Sequence, residues 1–374
     1  MLRRATQMCR KTLYQPNIAR IGGTLNAKFA YRRCILTVLL GALLVSCMTL
    51  PAPAQDSVFL VGTGSTVPLP LFRQWASEFN KFSHSVRMQY EGLGTSEGIT
   101  LMAGDSQALG KADFAAGEIT LSEKDRQERH LMEIPTVLIG IVPIYNLPGA
   151  PELKFSGQLL AEIFLGKVKN WKDPQIAKLN PGVALPALPI KVVYRPAGKG
   201  TNFVLTEFLS KTSPGFRAQI GRTPSPKWPV GEPADRSSDM VDKVKGNSGS
   251  IGYVELQYAI SSGLPSGRVQ NSEGKFVKAS EVSILAACKA VEAPDWNKFT
   301  ASLTNAPGEK SFPITSFSWV YLRSTSANSR RRTALLEFLR WIYSKGQKIA
   351  AQQGYTQLPP DLLPKISSRI NSME

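Results

Sequence analysis

The chain has 374 residues, of which 43% are hydrophobic and 20% charged, a composition typical of a folded protein long enough for two domains. Its formal net charge of +17 first suggests a nucleic-acid partner. The basic residues are scattered, however, and the sequence contains no basic helix and no aromatic-basic stripe. We therefore expect no nucleic-acid partner.

The N-terminal segment has the features of a targeting sequence. Residues 1–54 contain eight basic residues and no acidic one, and without them 37 basic residues face 28 acidic ones, a net charge of +9 that still favours an anionic partner. The apolar run Ile35–Leu50 is too short for a stable membrane span, and Ala52–Ala54 offers a cleavage site. We expect a secretory signal cleaved after Ala54. The alternative is a lipoprotein box at Leu44–Cys47, which would leave Cys47 lipidated and the protein tethered.

The cysteines predict neither a disulfide framework nor a zinc site. Cys9 and Cys34 belong to the leader, and Cys288 then stands alone, or with Cys47 if that residue is lipidated. We expect no metal and no cofactor.

The first part of the mature chain reads as β-α-β-α-β. Ser57–Val61 is a short apolar strand, Pro68–Phe82 repeats apolar residues at helical spacing, and Val86–Tyr90 alternates like a strand. A helix of about ten residues follows, and Asp113–Ala116 is another buried strand. This order predicts a parallel sheet with crossover helices.

The remaining elements predict a second α/β unit and a return to the first. Pro135–Tyr145 is an apolar strand that leaves the first domain, and Ala334–Gln352 is a long amphipathic helix. Between them we predict helices at Leu159–Leu165, Trp171–Leu179, Phe203–Lys211 and Met240–Lys245, and strands at Ile190–Tyr194, Ser250–Val254 and Phe312–Leu322. Two strands would cross between the lobes, near residues 140–145 and 313–320. Such a topology produces a cleft and a hinge.

Three glycine-rich turns share one chemistry. Gly62–Thr66, Gly94–Gly98 and Gly198–Thr201 each combine glycine with hydroxyl residues after a strand and before a helical pattern. A helix N-terminus presents unpaired backbone N–H groups and a partial positive charge, so three of them around one cleft would hold an oxyanion. The third turn is not a P-loop, because its lysine and threonine are not adjacent, and an ATPase is not expected.

Arg195 and Glu118 each end a strand beside one of these turns. Arg195 directly follows an apolar strand, where a bidentate clamp on an anion is the expected role. Glu118 is interpreted as the acceptor of a proton carried by the ligand, with a helix-capping acid as the alternative. We find no catalytic set: a secreted phosphoester hydrolase would need a nucleophile, a base or a metal cluster. The chain is therefore not expected to be an enzyme.

Several stretches, taken together and in order, resemble the periplasmic phosphate-binding proteins of phosphate ABC transporters, the PstS family. The similarity runs from about Val58 to Pro359. The matching stretches are Gly62–Pro68, Tyr90–Ser96, Asp113–Ala115, Ile163–Lys167, Asn170–Pro174, Leu179–Gly182, Lys227–Pro229, Gly252–Glu255 and Phe312–Ser316.

This resemblance implies an α/β, two-lobed periplasmic-binding-protein-like (type II) fold that closes over one anion. The implied organisation is a leader at 1–54, lobe I at 55–142 and 314–374, and lobe II at 143–313. The implied function is capture of inorganic phosphate, or a closely related oxyanion, outside the cytoplasm for an ABC transporter. The implied partners are the permease subunits in the inner membrane, with a monomeric protein located in the periplasm.

The resemblance also implies a set of ligand-binding residues: Thr66, the Val67 backbone N–H, Thr95, Glu118, Arg195, Lys199, Gly200 and Thr201. The family has serine at Thr95, aspartate at Glu118, aspartate at Ala197 and serine at Lys199. Arg195 and Lys199 are then expected to face only Glu118, a net charge of +1 where the family has −1. The alternatives that follow are a divergent relative that binds sulfate, a phosphonate or a phosphate ester, or one that acts in signalling rather than transport.

Overall fold

The computed structural model describes residues 57–103, 112–291, 301–324 and 329–373, which belong to one compact unit, Ser57–Glu374. The predicted leader lies outside the described residues, so cleavage after Ala54 and lipidation of Cys47 stay predictions. In the part of the chain that is described, no helix is both long enough and apolar enough to cross a membrane.

The elements alternate between strands and helices along most of the chain. The strands are β1 (Val58–Gly64), β2 (Val86–Gly92), β3 (Phe114–Gly117), β4 (Leu131–Tyr145), β5 (Lys154–Phe155), β6 (Lys191–Tyr194), β7 (Glu232–Pro233), β8 (Ser250–Glu255), β9 (Arg268–Gln270), β10 (Phe276–Val277) and β11 (Thr315–Arg323). The helices are α1 (Leu69–Phe82), α2 (Thr95–Ala103), α3 (Glu123–Arg129), α4 (Gly157–Phe164), α5 (Pro174–Leu179), α6 (Gly200–Thr212), α7 (Pro214–Gln219), α8 (Ser237–Gly246), α9 (Leu256–Ser262), α10 (Glu281–Lys289), α11 (Ser329–Trp341), α12 (Gln347–Gln352) and α13 (Leu363–Asn371).

The main sheet has eight strands in the order β2-β1-β3-β11-β4-β8-β6-β7, and β10, β9 and β5 form a separate small sheet. The fifteen-residue strand β4 serves both ends of the main sheet. Its residues up to Gly140, which lies opposite Thr315, pair with β11, and from Ile141, opposite Glu255, it pairs with β8. We call β2, β1, β3, β11 and the start of β4 the first half-sheet. The end of β4 with β8, β6 and β7 is the second half-sheet.

The predicted parallel sheet with crossover helices is confirmed in the first half-sheet. Strand β1 pairs in parallel with both β2 and β3, with α1 and α2 as the connections. Helix α1 turns its apolar stripe to the sheet, where the ring of Phe72 stacks on Tyr90 at 4.5 Å between centroids. Burial of this aromatic cluster stabilises the half-sheet that carries the first two glycine turns.

The long C-terminal helix predicted over Ala334–Gln352 is not one α-helix. Helix α11 ends at Trp341, a π-helical turn covers Ile342–Gly346, and α12 follows. The indole Nε1 of Trp75 donates a 2.8 Å hydrogen bond to the Gly346 carbonyl oxygen. A π turn changes which carbonyls bond within the helix, and it suits a helix that must offer one of them to a side chain.

The helix predicted over Trp171–Leu179 begins later, as α5 at Pro174. Asp173 caps it by accepting from the Gln175 backbone N–H, and proline is favourable at a first helical position. Trp171 lies before the helix, fully buried, and its indole donates to the Gly249 carbonyl at 2.8 Å. The indole thus ties the connection before α5 to the turn that precedes β8.

Candidate functional site

The three glycine turns meet at one place in the fold. The backbone N–H of Gly94 donates to the Gly64 carbonyl at 2.7 Å, which joins the first turn to the second. The backbone N–H of Ser96 donates to the Gly198 carbonyl at 3.0 Å, which joins the second turn to the third. Because Gly198 follows β6 in the second half-sheet, this last bond connects the two half-sheets through backbone atoms.

Glycine is required in the first turn by both space and backbone angle. Gly64 has a φ of +118°, which other residues rarely adopt. A Cβ at this position would also overlap the Ala116 carbonyl oxygen, because the two atoms would lie much closer than van der Waals contact. The turn therefore brings its backbone directly against β3, the strand that ends beside Glu118.

Arg195 is a fully buried cation with partners in both half-sheets. It follows β6, and its backbone N–H donates to the Tyr253 hydroxyl at 2.9 Å. The residue is 2% exposed. Its guanidinium Nη2 donates to Thr66 Oγ1 at 3.0 Å and to the Asp235 carbonyl at 2.8 Å, and Nη1 donates to Ser237 Oγ at 3.1 Å. Its Nε has no hydrogen-bond partner among the described residues. The guanidinium is thus held in place by neutral oxygens with one N–H group left to offer.

Glu118, just after β3, is a buried carboxyl group surrounded by hydroxyl donors. Oε2 accepts from Ser65 Oγ at 2.7 Å and from Thr95 Oγ1 at 3.3 Å, and Oε1 accepts from Ser318 Oγ at 3.0 Å. Burial raises the pKa of Glu118 to about 7; the hydroxyl bonds oppose this shift, and the charge of Glu255 adds to it. Glu118 is therefore poised to hold or release a proton near neutral pH.

The N-terminus of α6 lies against Glu118. The helix begins at Gly200, three residues before the predicted start at Phe203. A Cβ on Gly200 would overlap Glu118 Oε2 and approach Thr95 Oγ1 to 2.7 Å. The side chain of the N-cap residue, Lys199, makes no cap hydrogen bond to the first turn of α6.

Two further predicted ligand residues are buried in the same region. Thr201, in the first turn of α6, is 1% exposed, and its hydroxyl has no hydrogen-bond partner among the described residues. The Val67 backbone N–H donates to Ser65 Oγ at 3.1 Å, and its carbonyl accepts from the Tyr355 hydroxyl. The site residues themselves stay a prediction, but Thr66, Thr95, Glu118, Arg195 and Gly200 are joined by contacts within it.

The expectation that Arg195 and Lys199 face only Glu118 is wrong. Lys199 Nζ lies 2.7 Å from Asp235 Oδ1, and this bond lowers the pKa of Asp235. A second acid, the fully buried Glu255, lies behind Arg195 and accepts from Ser237 Oγ at 3.2 Å. Both acids come from segments far along the chain, 40 and 60 residues after Arg195, so counting charges near the turns missed them.

Sequence reasoning also missed the hydroxyl groups that hold the two charged residues. Ser65 lies in the first glycine turn, Ser318 lies in a predicted strand, and Ser237 is the first residue of α8. Ser318 could have been found, because it alternates with Phe317 and Trp319 and is a polar residue within an apolar strand. Ser237 had no such signal. Among the described residues, no cluster of three or more His, Cys, Asp or Glu could hold a metal ion.

Comparisons with known proteins agree with this architecture. The model of the PBP superfamily domain matches residues 50–345. The chain is 36% identical to the phosphate-binding protein PstS of Haemophilus influenzae, over 86% of this chain and 94% of that protein. It is 34% identical to the PstS of Pasteurella multocida, over 88% and 93%.

Solved structures show the same fold at lower identity. A high affinity periplasmic phosphate-binding protein (PfluDING) bound with phosphate superposes with a TM-score of 0.69 at 16% identity, covering 83% of this chain and 93% of the other. A phosphate-binding protein from Stenotrophomonas maltophilia gives 0.63 at 17%, covering 84% and 94%. The predicted two-lobed α/β fold of the periplasmic-binding-protein type is confirmed. Together with the sequence identities, these matches show that the chain belongs to the PstS family of phosphate-binding proteins.

Proposed function

We propose that this chain captures inorganic phosphate outside the cytoplasm and delivers it to an ABC transporter in the inner membrane. The observation that carries the proposal is the buried Arg195–Thr66 contact, which brings a guanidinium from the second half-sheet to the first glycine turn. A guanidinium among helix N-termini is suited to a small oxyanion. Relatives that are named phosphate-binding protein PstS support phosphate as that oxyanion.

Glu118 supplies the feature that favours phosphate over a fully ionised anion. Monohydrogen phosphate carries one proton that it can donate, and an ionised Glu118 accepts it. Sulfate has no proton at neutral pH and would place its oxygen against the carboxylate. In this proposal Arg195, Lys199, the hydroxyls of Thr66, Thr95 and Thr201, and the N–H groups of Val67 and Gly200 donate to the remaining oxygens.

Like the members of its family, the chain is a substrate-binding protein. It is not an enzyme. The alternative of a broader anion specificity followed from three departures from the family: the longer side chain of Glu118, the loss of an acid at Ala197 and the added positive charge at Lys199. The Lys199–Asp235 ion pair offsets that excess charge, which weakens the charge argument for a broader specificity, and competition with sulfate, a phosphonate and a phosphate ester distinguishes the alternatives. Signalling in place of transport is distinguished by a permease-binding test.

The lobe assignment is part of the proposal. We place lobe I at residues 55–142 and 314–374 and lobe II at 143–313. The change of partner along β4 between Gly140 and Ile141, and the start of β11 at Thr315, support these boundaries. The proposal further includes a monomeric periplasmic protein, secreted through the leader at 1–54 or anchored through Cys47, that docks on the permease subunits.

Native mass spectrometry of the secreted protein tests the proposal. The expected spectrum shows the mature chain carrying one phosphate, and the mass of the chain itself distinguishes cleavage after Ala54 from lipidation at Cys47. A different bound anion that added phosphate fails to displace would overturn phosphate as the ligand. Release of a chromogen from a phosphate ester by the same preparation would contradict the assignment as a non-enzyme.

A further inference from the structure

Glu255 is a buried acid outside the predicted ligand-binding set. It is the last residue of β8 and lies opposite Ile141, where β4 changes its partner from one half-sheet to the other. Its side chain is 0% exposed. Oε1 accepts from Ser237 Oγ at 3.2 Å, whereas Oε2 has no hydrogen-bond partner among the described residues.

Ser237 connects this acid to the guanidinium of Arg195. Arg195 Nη1 donates to Ser237 Oγ at 3.1 Å, and the single proton of that hydroxyl is then directed to Glu255. The result is a buried chain of guanidinium, hydroxyl and carboxylate. Such a chain fixes the plane of the guanidinium, and its opposite charges attract strongly because water is excluded.

The other charged groups near Arg195 leave Glu255 as a distinct influence on the anion. Lys199 is paired with Asp235, so that pair contributes little net charge. Glu255 interacts by charge with Arg195, and it also raises the pKa of Glu118, the other buried acid of the site. Tyr258 and Tyr355 also interact with Glu255, but burial raises the pKa of both phenols above the physiological range, so they stay neutral.

Glu255 holds a proton more readily than an exposed glutamate does. Burial raises its pKa above the usual value, while the positive charge of Arg195 and the Ser237 hydrogen bond oppose that shift. When Glu255 and Glu118 are both ionised, Arg195, Glu118 and Glu255 together carry a net charge of −1. Protonation of Glu255 brings that sum to zero.

We propose that Glu255, acting through Ser237, is a positioning residue that orients Arg195 and limits the negative charge that the site accepts on its anion. This inference rests on the proposed capture of phosphate. An ionised Glu255 weakens binding of a dianion, and a neutral one strengthens it. Removing its charge also lets Glu118 ionise more readily and accept the phosphate proton, an effect in the same direction.

The test is calorimetric titration of phosphate into the wild type and Glu255→Gln between pH 5 and pH 8.5. Glutamine keeps an oxygen that accepts from Ser237 but removes the charge. At pH 8.5 the variant is expected to bind phosphate about tenfold more tightly, the scale of one charge interaction across a buried site. The ratio of the two dissociation constants should move toward one as the pH is lowered, because the raised pKa of Glu255 favours its protonated form in the wild type.

Two control variants separate this effect from a structural one. Glu133→Gln neutralises another buried acid on β4, which pairs with Arg126, and its ratio to the wild type is expected to stay near one at every pH. Glu255→Asp keeps the charge, and its dissociation constant for phosphate is expected to depend on pH as that of the wild type does. If Glu255→Gln does not fold, Ser237→Ala serves instead, and it should weaken phosphate binding about tenfold because Arg195 loses one of its hydrogen-bond anchors and its link to Glu255.

The outcomes separate the two proposals. If the wild type gives no heat with phosphate, the proposed function fails. If the wild type binds but Glu255→Gln binds equally, or more weakly at every pH, the role of Glu255 is overturned while phosphate capture stands. An unchanged dissociation constant for Ser237→Ala also overturns it.

Discussion

Arg195 Nη2 donates a 3.0 Å hydrogen bond to the hydroxyl of Thr66, a residue 129 positions earlier in the chain. One residue follows a strand of the second half-sheet and the other lies in the turn after β1. The same guanidinium is anchored on the Asp235 carbonyl and Ser237, so it reaches the first half-sheet in a fixed orientation. A rigid, partly unsatisfied cation between two elements is suited to binding an anion tightly.

Arg195→Lys is expected to weaken phosphate binding at least tenfold, and Arg195→Ala to abolish it. Lysine keeps the positive charge but lacks the planar fork that holds Thr66, Ser237 and Asp235 at once. Calorimetric titration measures both. Val67→Ala is the control and should bind like the wild type, because the residue is expected to act through its backbone. Normal affinity in Arg195→Ala would show that the anion binds elsewhere.

Glu118→Gln is expected to reduce the preference for phosphate over sulfate at least tenfold. The carboxylate accepts the phosphate proton and repels sulfate, whereas an amide can turn its N–H₂ group to either anion. Competition between the two anions at pH 8, where Glu118 is mostly ionised, gives the ratio directly. A ratio equal to that of the wild type would mean that Glu118 does not distinguish the two anions by accepting the phosphate proton.

Gly200→Ala is expected to abolish phosphate binding while the fold is kept. Its new methyl group would overlap Glu118 Oε2 and lie 2.7 Å from Thr95 Oγ1, so the N-terminus of α6 could not approach Glu118. Gly246→Ala is a matched control at the end of α8, because a Cβ there meets nothing within 4 Å. Circular dichroism checks folding and calorimetry checks binding. Equal affinities in the two variants would contradict the contact between α6 and Glu118.

Stability is expected to fall as pH rises from about 4.5 to about 7. Burial raises the pKa of Glu118 and Glu133 to about 7, so the folded protein keeps two protons that the unfolded chain releases in this window. Each group's stabilisation is complete below its unfolded pKa and lost through its folded pKa, on the order of 3 kcal/mol. Thermal unfolding in phosphate-free buffer measures the slope. Glu133→Gln should flatten it, and an unaltered slope in that variant would contradict the raised pKa of Glu133.

Apolar periodicity predicted the strands and helices well because burial drives both. The spacing of Phe72, Trp75 and Phe79 gave α1, and the apolar run at Pro135–Tyr145 lies within the strand β4 that joins the half-sheets. Apolar periodicity did not indicate the π turn at Ile342–Gly346, where the Gly346 carbonyl accepts a hydrogen bond from Trp75, 271 positions away in the chain. Apolar periodicity indicates which face of a helix is buried. It does not indicate which backbone carbonyl accepts a hydrogen bond from a distant side chain.

The candidate site could be predicted only where its residues lie in the turns themselves. Glycine and hydroxyl residues after strands pointed to Thr66, Thr95 and Thr201, and the position after β6 pointed to Arg195. Asp235 and Glu255 were not found, since each reaches the site from a separate segment of the second half-sheet. Their charges reverse the expected balance, so the electrostatics of the site depend on tertiary contacts that local patterns do not contain.

The measurement that tests phosphate capture most directly is calorimetric titration of the wild type with phosphate, sulfate and methylphosphonate at pH 8. We expect one phosphate bound per chain, and binding of sulfate and methylphosphonate at least a hundredfold weaker, on the order of 3 kcal/mol of discrimination. Absence of heat with phosphate, or tighter binding of either of the other anions, would contradict the proposed function.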